Sequence, residues 1–331
     1  MGIDIFNPEI SQVSEDMRGK TMLLYGTNRT GKTYQACRFD KPYYLAFERG
    51  INGISNIPFA SIQKFSDFIS IVKQFTNPKN KERVMSNYQT IIIDTADIMG
   101  NQCRQYVCEK YGVDRINDGN GGYGLWKEYE DEFAKWLNLL TSVGLSVVFI
   151  AHDTTRDFVD EDGNQYSKIY PKGDKRIIDP ICDLVDIIGY AAVNDPSDNG
   201  DKTMSSLYLT QTKKYHAGSR FDYLPACIKE FSAKNLQEAI KNAVRKQAEA
   251  EKFTTVDFDT QQEAYKQKSE LSFDEVRNEI GEIAQKMNDE GRMEEYFDIV
   301  EEYLGKDKKV SEATKSQMQQ LSLILEELKS L

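Results

Sequence analysis

Cysteine is scarce in this 331-residue sequence, and the spacing of the few cysteines argues against a common kind of metal site. There are five, an odd number, and apart from Cys103 and Cys108 they lie far apart. No paired CxxC elements occur, so the pattern does not suggest a zinc site. Reduced thiols, as in a bacterial-type cytosol, fit this pattern best.

Long apolar stretches are also missing. No run approaches the roughly 18 residues that a membrane helix requires, and the N-terminus lacks the basic-then-apolar pattern of a signal peptide. The sequence still has enough apolar residues for a folded core, with 40% hydrophobic and 11% aromatic residues. We therefore expect a cytoplasmic protein without a membrane partner, built from one large domain and an extension.

A positive net charge is lacking as well, because the chain carries −11 at pH 7, which normally counts against a nucleic-acid partner. Two short segments are nevertheless basic. KIYPKGDKR (168–176) has four basic residues and one acid, and KKYHAGSR (213–220) has three basic residues and none acidic. Local basic loops, rather than the sum, decide phosphate contact. For each segment, a solvated charged face is the alternative.

A glycine-rich motif lies between an apolar strand pattern, Met22 to Tyr25, and a helix pattern. It matches G-x-x-x-x-G-K-T, the phosphate-binding loop, and comprises Gly26, Thr27, Asn28, Arg29, Thr30, Gly31, Lys32 and Thr33. The glycines let backbone amides wrap an anion. Lys32 then neutralises the β and γ phosphates and the Thr33 hydroxyl coordinates Mg²⁺, so the motif predicts a nucleoside triphosphate with Mg²⁺.

A second strand pattern supplies another metal ligand. In YQTIIIDTAD, the β-branched run from Ile91 to Ile93 ends on Asp94. Such runs are typical of parallel strands that helices cover on both faces. A carboxylate at the end of a neighbouring parallel strand is what a phosphate-binding loop needs to hold Mg²⁺. We therefore predict that Asp94 is the second metal ligand, beside Thr33.

A third strand pattern, YYLAFERG (43–50), ends on Glu48. Ligands bind outside the carboxyl ends of strands in open α/β sheets, so a carboxylate here can face the γ phosphate and activate water. Helicases and AAA+ proteins usually place this glutamate directly after the metal-binding aspartate, but Thr95 follows Asp94. The arrangement indicates a RecA-type core with Glu48 as general base. A charged strand end is the alternative.

The remaining core pattern continues the alternation of strands and helices. LSVVFIAHD predicts a buried strand that ends on His152, where a polar residue commonly senses the γ phosphate; a structural histidine is the alternative. A predicted hairpin follows. The fold class is therefore α/β, a RecA-like P-loop NTPase core with a mostly parallel sheet flanked by helices and an antiparallel edge.

Two long segments are predicted to be mobile loops beyond the ends of core strands. Residues 115–126 include four glycines between Gly119 and Gly124, and residues 153–176 are polar and end with basic residues. Loops of this length in a compact domain are usually functional or disordered.

Over residues 18–230 the sequence resembles the phage-encoded RecA-like single-strand annealing recombinases, which are minimal RecA cores. The resemblance rests on GTNRTGKT, YYLAFERG, IIIDTAD, the WLNLLTSVGLSVVFIAH block and KKYHAGSRFDYLP. It implies ATP hydrolysis, binding of single-stranded DNA, and annealing or strand exchange. It also implies a homo-oligomer, either ring or filament, and a single-stranded-DNA-binding protein as partner, in the cytoplasm of the infected bacterial host.

The resemblance also implies roles for further residues. Lys213 and Lys214 correspond to lysine fingers that reach the neighbouring subunit's nucleotide, and Arg220 is a second candidate. The catalytic candidates are then Glu48, Lys32, His152, Lys213, Lys214 and Arg220. The two loops correspond to DNA-binding loops, with the candidates Gly121, Gly122, Arg156, Lys168, Lys172, Lys175 and Arg176. The alternatives are a RecA-fold helicase or DNA-packaging motor, and a nucleotide-gated DNA-binding or partner-binding module without turnover.

We predict three regions: an ATPase core at 1–230, a charged helical linker at 231–270 and a small helical module at 271–331. From Phe231 onward there are 15 basic and 22 acidic residues, so this part contributes −7 to the net charge. Amphipathic helices in the last region form a module too small for an enzyme. We expect it to bind a protein or support assembly, with simple packing onto the core as the alternative.

Overall fold

The computed structural model describes residues 6, 8, 10–194, 204–264 and 272–331. The chain forms two compact units, Gln12–Gln261 and a C-terminal unit that begins at Gln262. In the part of the chain that the structure describes, no helix is long and apolar enough to cross a membrane.

Strands and helices alternate through much of the chain, as the pattern predicts, but the strands at 59–61, 153–159 and 165–171 were not predicted. The strands are β1 Thr21–Tyr25, β2 Pro42–Ala46, β3 Phe59–Ser61, β4 Thr90–Asp94, β5 Ser146–Ala151, β6 Asp153–Val159, β7 Gln165–Pro171, β8 Ile187–Val193, β9 Ser205–Tyr208, β10 Gly218–Ser219 and β11 Cys227–Ile228. The helices are α1 Lys32–Ala36, α2 Phe65–Thr76, α3 Lys81–Asn87, α4 Ala96–Tyr111, α5 Trp126–Thr141, α6 Lys175–Leu184, α7 Ala233–Glu251, α8 Phe258–Ala264, α9 Phe273–Asp289, α10 Met293–Leu304 and α11 Met318–Ser330.

The main sheet is mixed and mostly parallel. Its strand order is β3-β2-β4-β5-β1-β8-β9-β11, and β10 also pairs with β8. The strands from β3 to β8 in this order pair in parallel, whereas β9, β10 and β11 pair antiparallel. Every residue of β1, β4 and β5 is buried, as expected for strands covered by helices on both faces. The predicted RecA-like P-loop fold with its antiparallel edge is confirmed.

Parallel pairing brings the polar strand ends to one edge of the sheet. Ala46 on β2 is the partner of Asp94 on β4, and Asp94 is in turn the partner of Ile150 on β5. Glu48 and His152 lie just beyond the ends of β2 and β5, and the phosphate-binding loop follows β1. The carboxyl edge of the sheet therefore collects the groups that the sequence singled out for nucleotide chemistry.

Residues 153–176 differ from the predicted mobile loop. They form an antiparallel hairpin of β6 and β7 followed by the start of α6. The rings of Phe158 and Tyr166 stack across the hairpin with centroids 5.8 Å apart. The backbone N–H of Ile169 on β7 donates to the carbonyl of Lys214 at 2.8 Å, so a later segment also joins the hairpin. The aromatic pair across the strands and the hydrogen bond to the segment at Lys214 explain why residues 153–176 form a hairpin and not a loop.

Residues 115–126 are also more ordered than expected. The backbone N–H of Leu125 donates to the carbonyl of Ile116 at 2.9 Å and closes the segment. The Trp126 indole Nε1 donates to Asn117 Oδ1 at 3.0 Å. Short 3₁₀ turns fill the space between these bonds.

The predicted linker, residues 231–270, is only partly a linker. Its first part is α7, and its apolar stripe packs against the core sheet through Phe231, Leu236 and Ile240. The compact core unit therefore continues through α7 instead of ending at residue 230, because this stripe would otherwise be exposed. Residues 265–270 lie outside the described residues.

The C-terminal unit has a small core of its own. Helices α9, α10 and α11 bury apolar side chains against one another, among them Val276, Ile280, Leu321 and Ile324. Ser272 caps α9 in a capping box with Glu275. The helices predicted from amphipathic periodicity in this region are present.

Candidate nucleotide-binding and catalytic site

The phosphate-binding loop has positive φ at both of its glycines, a conformation that favours glycine. Gly31 has φ 85° and precedes α1. Gly26 has φ 147°, and a Cβ built on it would lie 2.1 Å from the backbone oxygen of Ala191 on β8. Close approach of the loop to β8 therefore requires glycine at position 26. Residues 26–33, the predicted nucleotide-binding residues, form the loop after β1 and the first residues of α1, at the carboxyl edge of the sheet.

Lys32 is buried within this loop. Its Nζ donates to the carbonyl oxygens of Gly26 at 2.8 Å and Thr27 at 2.7 Å, and to Thr30 Oγ1 at 3.2 Å. Burial lowers the pKa of Lys32 to about 8, although the carboxylates of Asp94, Asp153 and Glu48 oppose this shift. The loop carbonyls therefore hold the ammonium group at the place where phosphates would bind.

We expect ATP binding to take up a proton at alkaline pH. Free Lys32, with its pKa lowered to about 8, loses most of its charge above that pH, whereas bound phosphates favour the ammonium form. Binding at about pH 9 should take up close to one proton, and affinity should fall by up to about tenfold per pH unit above pH 8. Isothermal titration in two buffers of different ionisation enthalpy measures the uptake.

The same titration at about pH 7 is the control, because Lys32 is already charged there and contributes no proton. Equal observed enthalpies in the two buffers at about pH 9 would contradict the role of Lys32.

Asp94 ends β4 and is 1% exposed. Its Oδ2 accepts hydrogen bonds from Thr33 Oγ1 at 2.6 Å and from the Tyr44 hydroxyl at 2.9 Å. Its Oδ1 has no hydrogen-bond partner. Burial raises the pKa of Asp94, and the bonds from Thr33 and Tyr44 oppose that shift. Tyr44 was not predicted from the sequence. Nothing in the sequence marks a tyrosine of a buried strand as the partner of a carboxylate 50 residues further along the chain.

These residues fit a magnesium ion. An unpartnered carboxylate oxygen in a buried site calls for a ligand, and it lies next to a hydroxyl group. Mg²⁺ is commonly held by one or two protein oxygens together with nucleotide phosphates rather than by a cage of carboxylates. Consistent with this, no group of three or more His, Cys, Asp or Glu side chains suited to a metal occurs among the described residues. Thr33 and Asp94 are the residues that would hold the ion.

Gly50 leaves room beside Asp94. A Cβ built on Gly50 would lie 2.6 Å from the Tyr44 hydroxyl and 3.0 Å from Asp94 Oδ2. Any side chain here would displace the groups that surround the carboxylate. This role could not be predicted from the sequence, because Gly50 has the pattern of an ordinary glycine at the end of a strand.

Gly50→Ala should therefore weaken Mg²⁺ binding at the site more than it destabilises the fold. Overpacking of this kind costs about 1–3 kcal/mol, so the Mg²⁺ concentration for half-maximal ATP hydrolysis should rise about tenfold or more. Gly53→Ala is the matched control, because a Cβ there would meet nothing within 4 Å. The assignment of Asp94 as a metal ligand fails if both variants titrate with Mg²⁺ like the unmodified protein.

Glu48 lies next to Asp94 at the open side of the site. The backbone N–H groups of Phe47 and Glu48 donate to the Asp94 carbonyl at 2.9 and 3.2 Å, which continues the pairing of β2 with β4. Glu48 Oε2 lies 3.7 Å from His152 Nε2, and both side chains are partly exposed. Burial and the negative charge of Asp94 raise the pKa of Glu48, and His152 opposes this shift. A half-buried carboxylate with a raised pKa can accept a proton from water.

Three further predicted catalytic residues, Lys213, Lys214 and Arg220, contact other parts of the chain. Lys213 is 81% exposed, and its Nζ lies 3.8 Å from Asp160 Oδ2 at the hairpin. Lys214 is exposed and contributes its carbonyl to the bond with β7. Arg220 pairs with Asp186 at 3.3 Å, just before β8 and hence at the amino edge of the parallel strands.

Two of the predicted DNA-binding residues are internal to the hairpin instead of lying on a free basic loop. Arg156 pairs with Asp179 at 2.7 Å and lies over the Tyr170 ring, 4.0 Å from its centroid. Lys168 is 6% exposed, lies over the Phe158 ring, and burial lowers its pKa. These side chains are held by packing of the hairpin, because β strands turn alternate residues to one face.

The remaining DNA-binding candidates form an exposed surface. Lys172, Lys175 and Arg176 are exposed, and the Arg176 guanidinium lies 4.3 Å from the centroid of the Trp126 ring, which joins this segment to residues 115–126. Gly121 and Gly122 both have positive φ, and a Cβ on either would meet nothing within 4 Å.

Sequence reasoning missed Tyr123, which is 88% exposed beside these glycines. A lone aromatic residue in a glycine-rich loop was the available signal. We call Tyr123, Trp126, Lys172, Lys175 and Arg176 the basic–aromatic surface.

Comparison with known proteins identifies the family. A family model described as an AAA domain matches residues 18–221. The chain belongs to this family. It is also 43% identical over 331 residues to the SPbeta prophage-derived uncharacterized protein YorG of Bacillus subtilis (strain 168), covering 100% of this chain and 99% of that one.

The structure of this AAA domain protein is also similar to that of a KaiC-like protein from Pyrococcus horikoshii OT3. The TM-score is 0.33 with 11% identity, over 61% of this chain and 87% of the other. The family match and the phosphate-binding loop together identify a P-loop nucleotide-binding domain of NTPase type.

Proposed function

We propose that this AAA domain protein is an ATPase that assembles on single-stranded DNA and promotes strand annealing or exchange in phage recombination. The main support for ATP hydrolysis is the position of Glu48 beside Asp94, with Lys32 and Thr33 nearby at the start of α1. The basic–aromatic surface supports DNA binding. The prophage origin of the 43% identical YorG protein supports the phage setting, the cytoplasm of an infected bacterium.

In the proposed reaction each residue has a distinct task. Lys32 and the loop amides bind the phosphates, and Thr33 and Asp94 would hold Mg²⁺, which neutralises developing charge when bound. Glu48 takes the proton of the attacking water. His152, 3.7 Å from Glu48, orients that carboxylate.

A backbone link joins this site to the proposed DNA surface. The backbone N–H of Lys172 donates to the carbonyl of His152 at 2.8 Å. A hydrogen bond therefore connects the residue next to Glu48 with the basic–aromatic surface. Groups that lie on one hydrogen-bonded segment can respond together to nucleotide and DNA.

Replacing Lys172, Lys175 and Arg176 together with alanine should weaken binding to single-stranded DNA of every sequence alike. Each lost phosphate contact should reduce the slope of log affinity against log salt by about 0.7. Titration of labelled oligonucleotides at several salt concentrations measures both effects. A triple alanine variant of Lys234, Lys241 and Lys246, exposed lysines on α7, is the matched control. An unchanged slope would place the DNA site elsewhere.

An assay of the annealing of complementary single strands, with and without ATP, distinguishes the proposed function from the alternative functions. Accelerated annealing supports the recombinase. Displacement of a strand from a duplex, driven by ATP, would identify a helicase instead. ATP binding without measurable hydrolysis, with or without DNA, would leave a nucleotide-gated binding module.

A further inference from the structure

A cleft of about 310 Å³ lies between the end of α2, helix α3 and the start of β2. Its apolar floor contains the rings of Tyr43, Phe75 and Tyr88, whose centroids lie 4.9 to 5.9 Å apart with interplanar angles of 64° to 74°. Ile71 and Val84 complete the floor. The edge-on packing of the rings makes a rigid apolar base instead of a flat stacking platform.

The cleft is separate from the nucleotide chemistry. Tyr43 lies near the amino end of β2, where its partner on β4 is Ile91. Asp94 and Glu48 lie at the opposite, carboxyl ends of the same strands. None of the residues proposed for ATP or DNA binding lines the cleft.

The rim offers hydrogen-bond acceptors. The amide nitrogen of Asn80 donates to the Gln74 carbonyl at 2.9 Å, and that of Asn87 donates to the Arg83 carbonyl at 2.8 Å. Because the amide nitrogens are used in these bonds, the side-chain oxygens of Asn80 and Asn87 remain available as hydrogen-bond acceptors at the rim. Acceptors of this kind match the N–H groups of an extended peptide.

The surroundings of the cleft are basic on an acidic protein. Residues 70–90 contain four basic residues and one acid, whereas the chain as a whole carries −11. Lys79, Lys81 and Arg83 are exposed, and none forms an ion pair with another residue in the described ranges. Arg83 lines the cleft, and Lys79 and Lys81 flank its lining residue Asn80 in the chain, so their positive charge is free to pair with a ligand.

We propose that this cleft binds an acidic peptide segment of a partner protein, with one aromatic or large aliphatic side chain as its anchor. The anchor fills the floor made by Tyr43, Phe75 and Tyr88, the peptide backbone donates to the asparagine oxygens, and flanking carboxylates pair with Lys79, Lys81 and Arg83. Nucleic acid is disfavoured, because the edge-on rings present no parallel face on which a base could stack. The proposal does not depend on the ATPase or DNA activity.

Fluorescence anisotropy at low salt tests it with the full chain and a fluorescein-labelled peptide, Glu-Asp-Glu-Phe-Asp-Glu-Gly. Replacing the peptide's Phe with Ala should weaken binding about tenfold or more, because a buried anchor is lost. Arg83→Glu should weaken binding about fivefold or more. Asn87→Trp, which places a bulky side chain at the rim, should block binding.

Lys64→Glu, which makes the same charge change just before α2 and away from the cleft, is the matched control and should bind like the unmodified protein. A peptide with Lys in place of each acid should not bind. Equal affinity for the Phe and Ala peptides overturns the proposal, as does unchanged binding in both Arg83→Glu and Asn87→Trp.

The state of assembly provides a second measurement. If Arg83→Glu and Asn87→Trp lower the mass of the protein in solution while the peptide does not bind, the cleft is an interface between copies of this chain and the proposal is overturned. Unchanged thermal melting of each variant shows that the fold is retained.

Discussion

Replacing Glu48 with glutamine should leave ATP binding intact and slow hydrolysis by about 100-fold or more. Glutamine keeps the size and polarity of the side chain but cannot accept the proton of the attacking water. Lys32, Thr33 and Asp94, which would bind the phosphates and Mg²⁺, are unchanged. Binding is measured by titration calorimetry and turnover by phosphate release. Glu82→Gln, on the exposed face of α3, is the control and should hydrolyse ATP at the normal rate.

The pH profile gives this prediction a second readout. Glu48 must be ionised to act as a base, and burial and Asp94 raise its pKa. The rate should therefore fall as pH drops through this raised pKa, at higher pH than for an ordinary glutamate. The acid limb should disappear in Glu48→Gln. Normal turnover in that variant would return Glu48 to the role of a charged strand end.

Replacing both Lys213 and Lys214 with alanine should abolish most hydrolysis, by roughly 10³-fold or more if they act as cationic fingers. Both side chains are exposed, and the ion pair of Lys213 is with Asp160 of the hairpin, so we expect them to act on the nucleotide of a neighbouring subunit. Hydrolysis then requires assembly, and activity should rise more than linearly with protein concentration. Lys308→Ala/Lys309→Ala, another adjacent pair of exposed lysines, is the matched control.

Mixing two inactive variants distinguishes action between subunits from a local role. In an equal mixture of Glu48→Gln and the double lysine variant, about a quarter of head-to-tail interfaces pair an intact Glu48 with intact lysines of the neighbour. Partial hydrolysis should return. If the lysines are only exposed residues of the segment beside β7, the double variant will hydrolyse ATP by itself. That result would contradict a site shared between subunits.

Much of the fold could be predicted because its signals are local. The phosphate-binding loop is a contiguous motif, and buried parallel strands appear as short runs such as Ile91 to Ile93. Their order along the chain then implies a parallel sheet, since right-handed crossovers leave few other arrangements. From that sheet it follows that residues at strand ends, Glu48, Asp94 and His152, share one edge.

Other features depend on partners that are distant in sequence. Residues 153–176 look polar and loop-like alone, but pairing between β6 and β7, and with the segment at Lys214, makes them a hairpin. That hairpin turns Arg156 and Lys168 inward, so charge counted along the sequence overstated the exposed basic surface. Helix α7 likewise belongs to the core because the main sheet supplies an apolar face for it.

Short motifs and strand ends were enough to predict the P-loop fold and the edge of the sheet at which its polar groups meet, because both signals are local in the chain. Three features became visible only in the folded chain: which cations remain exposed, the hydrogen bond from Tyr44 to Asp94, and the lack of space for a side chain at Gly50. These outcomes depend on distances of a few ångströms between segments that only packing brings together.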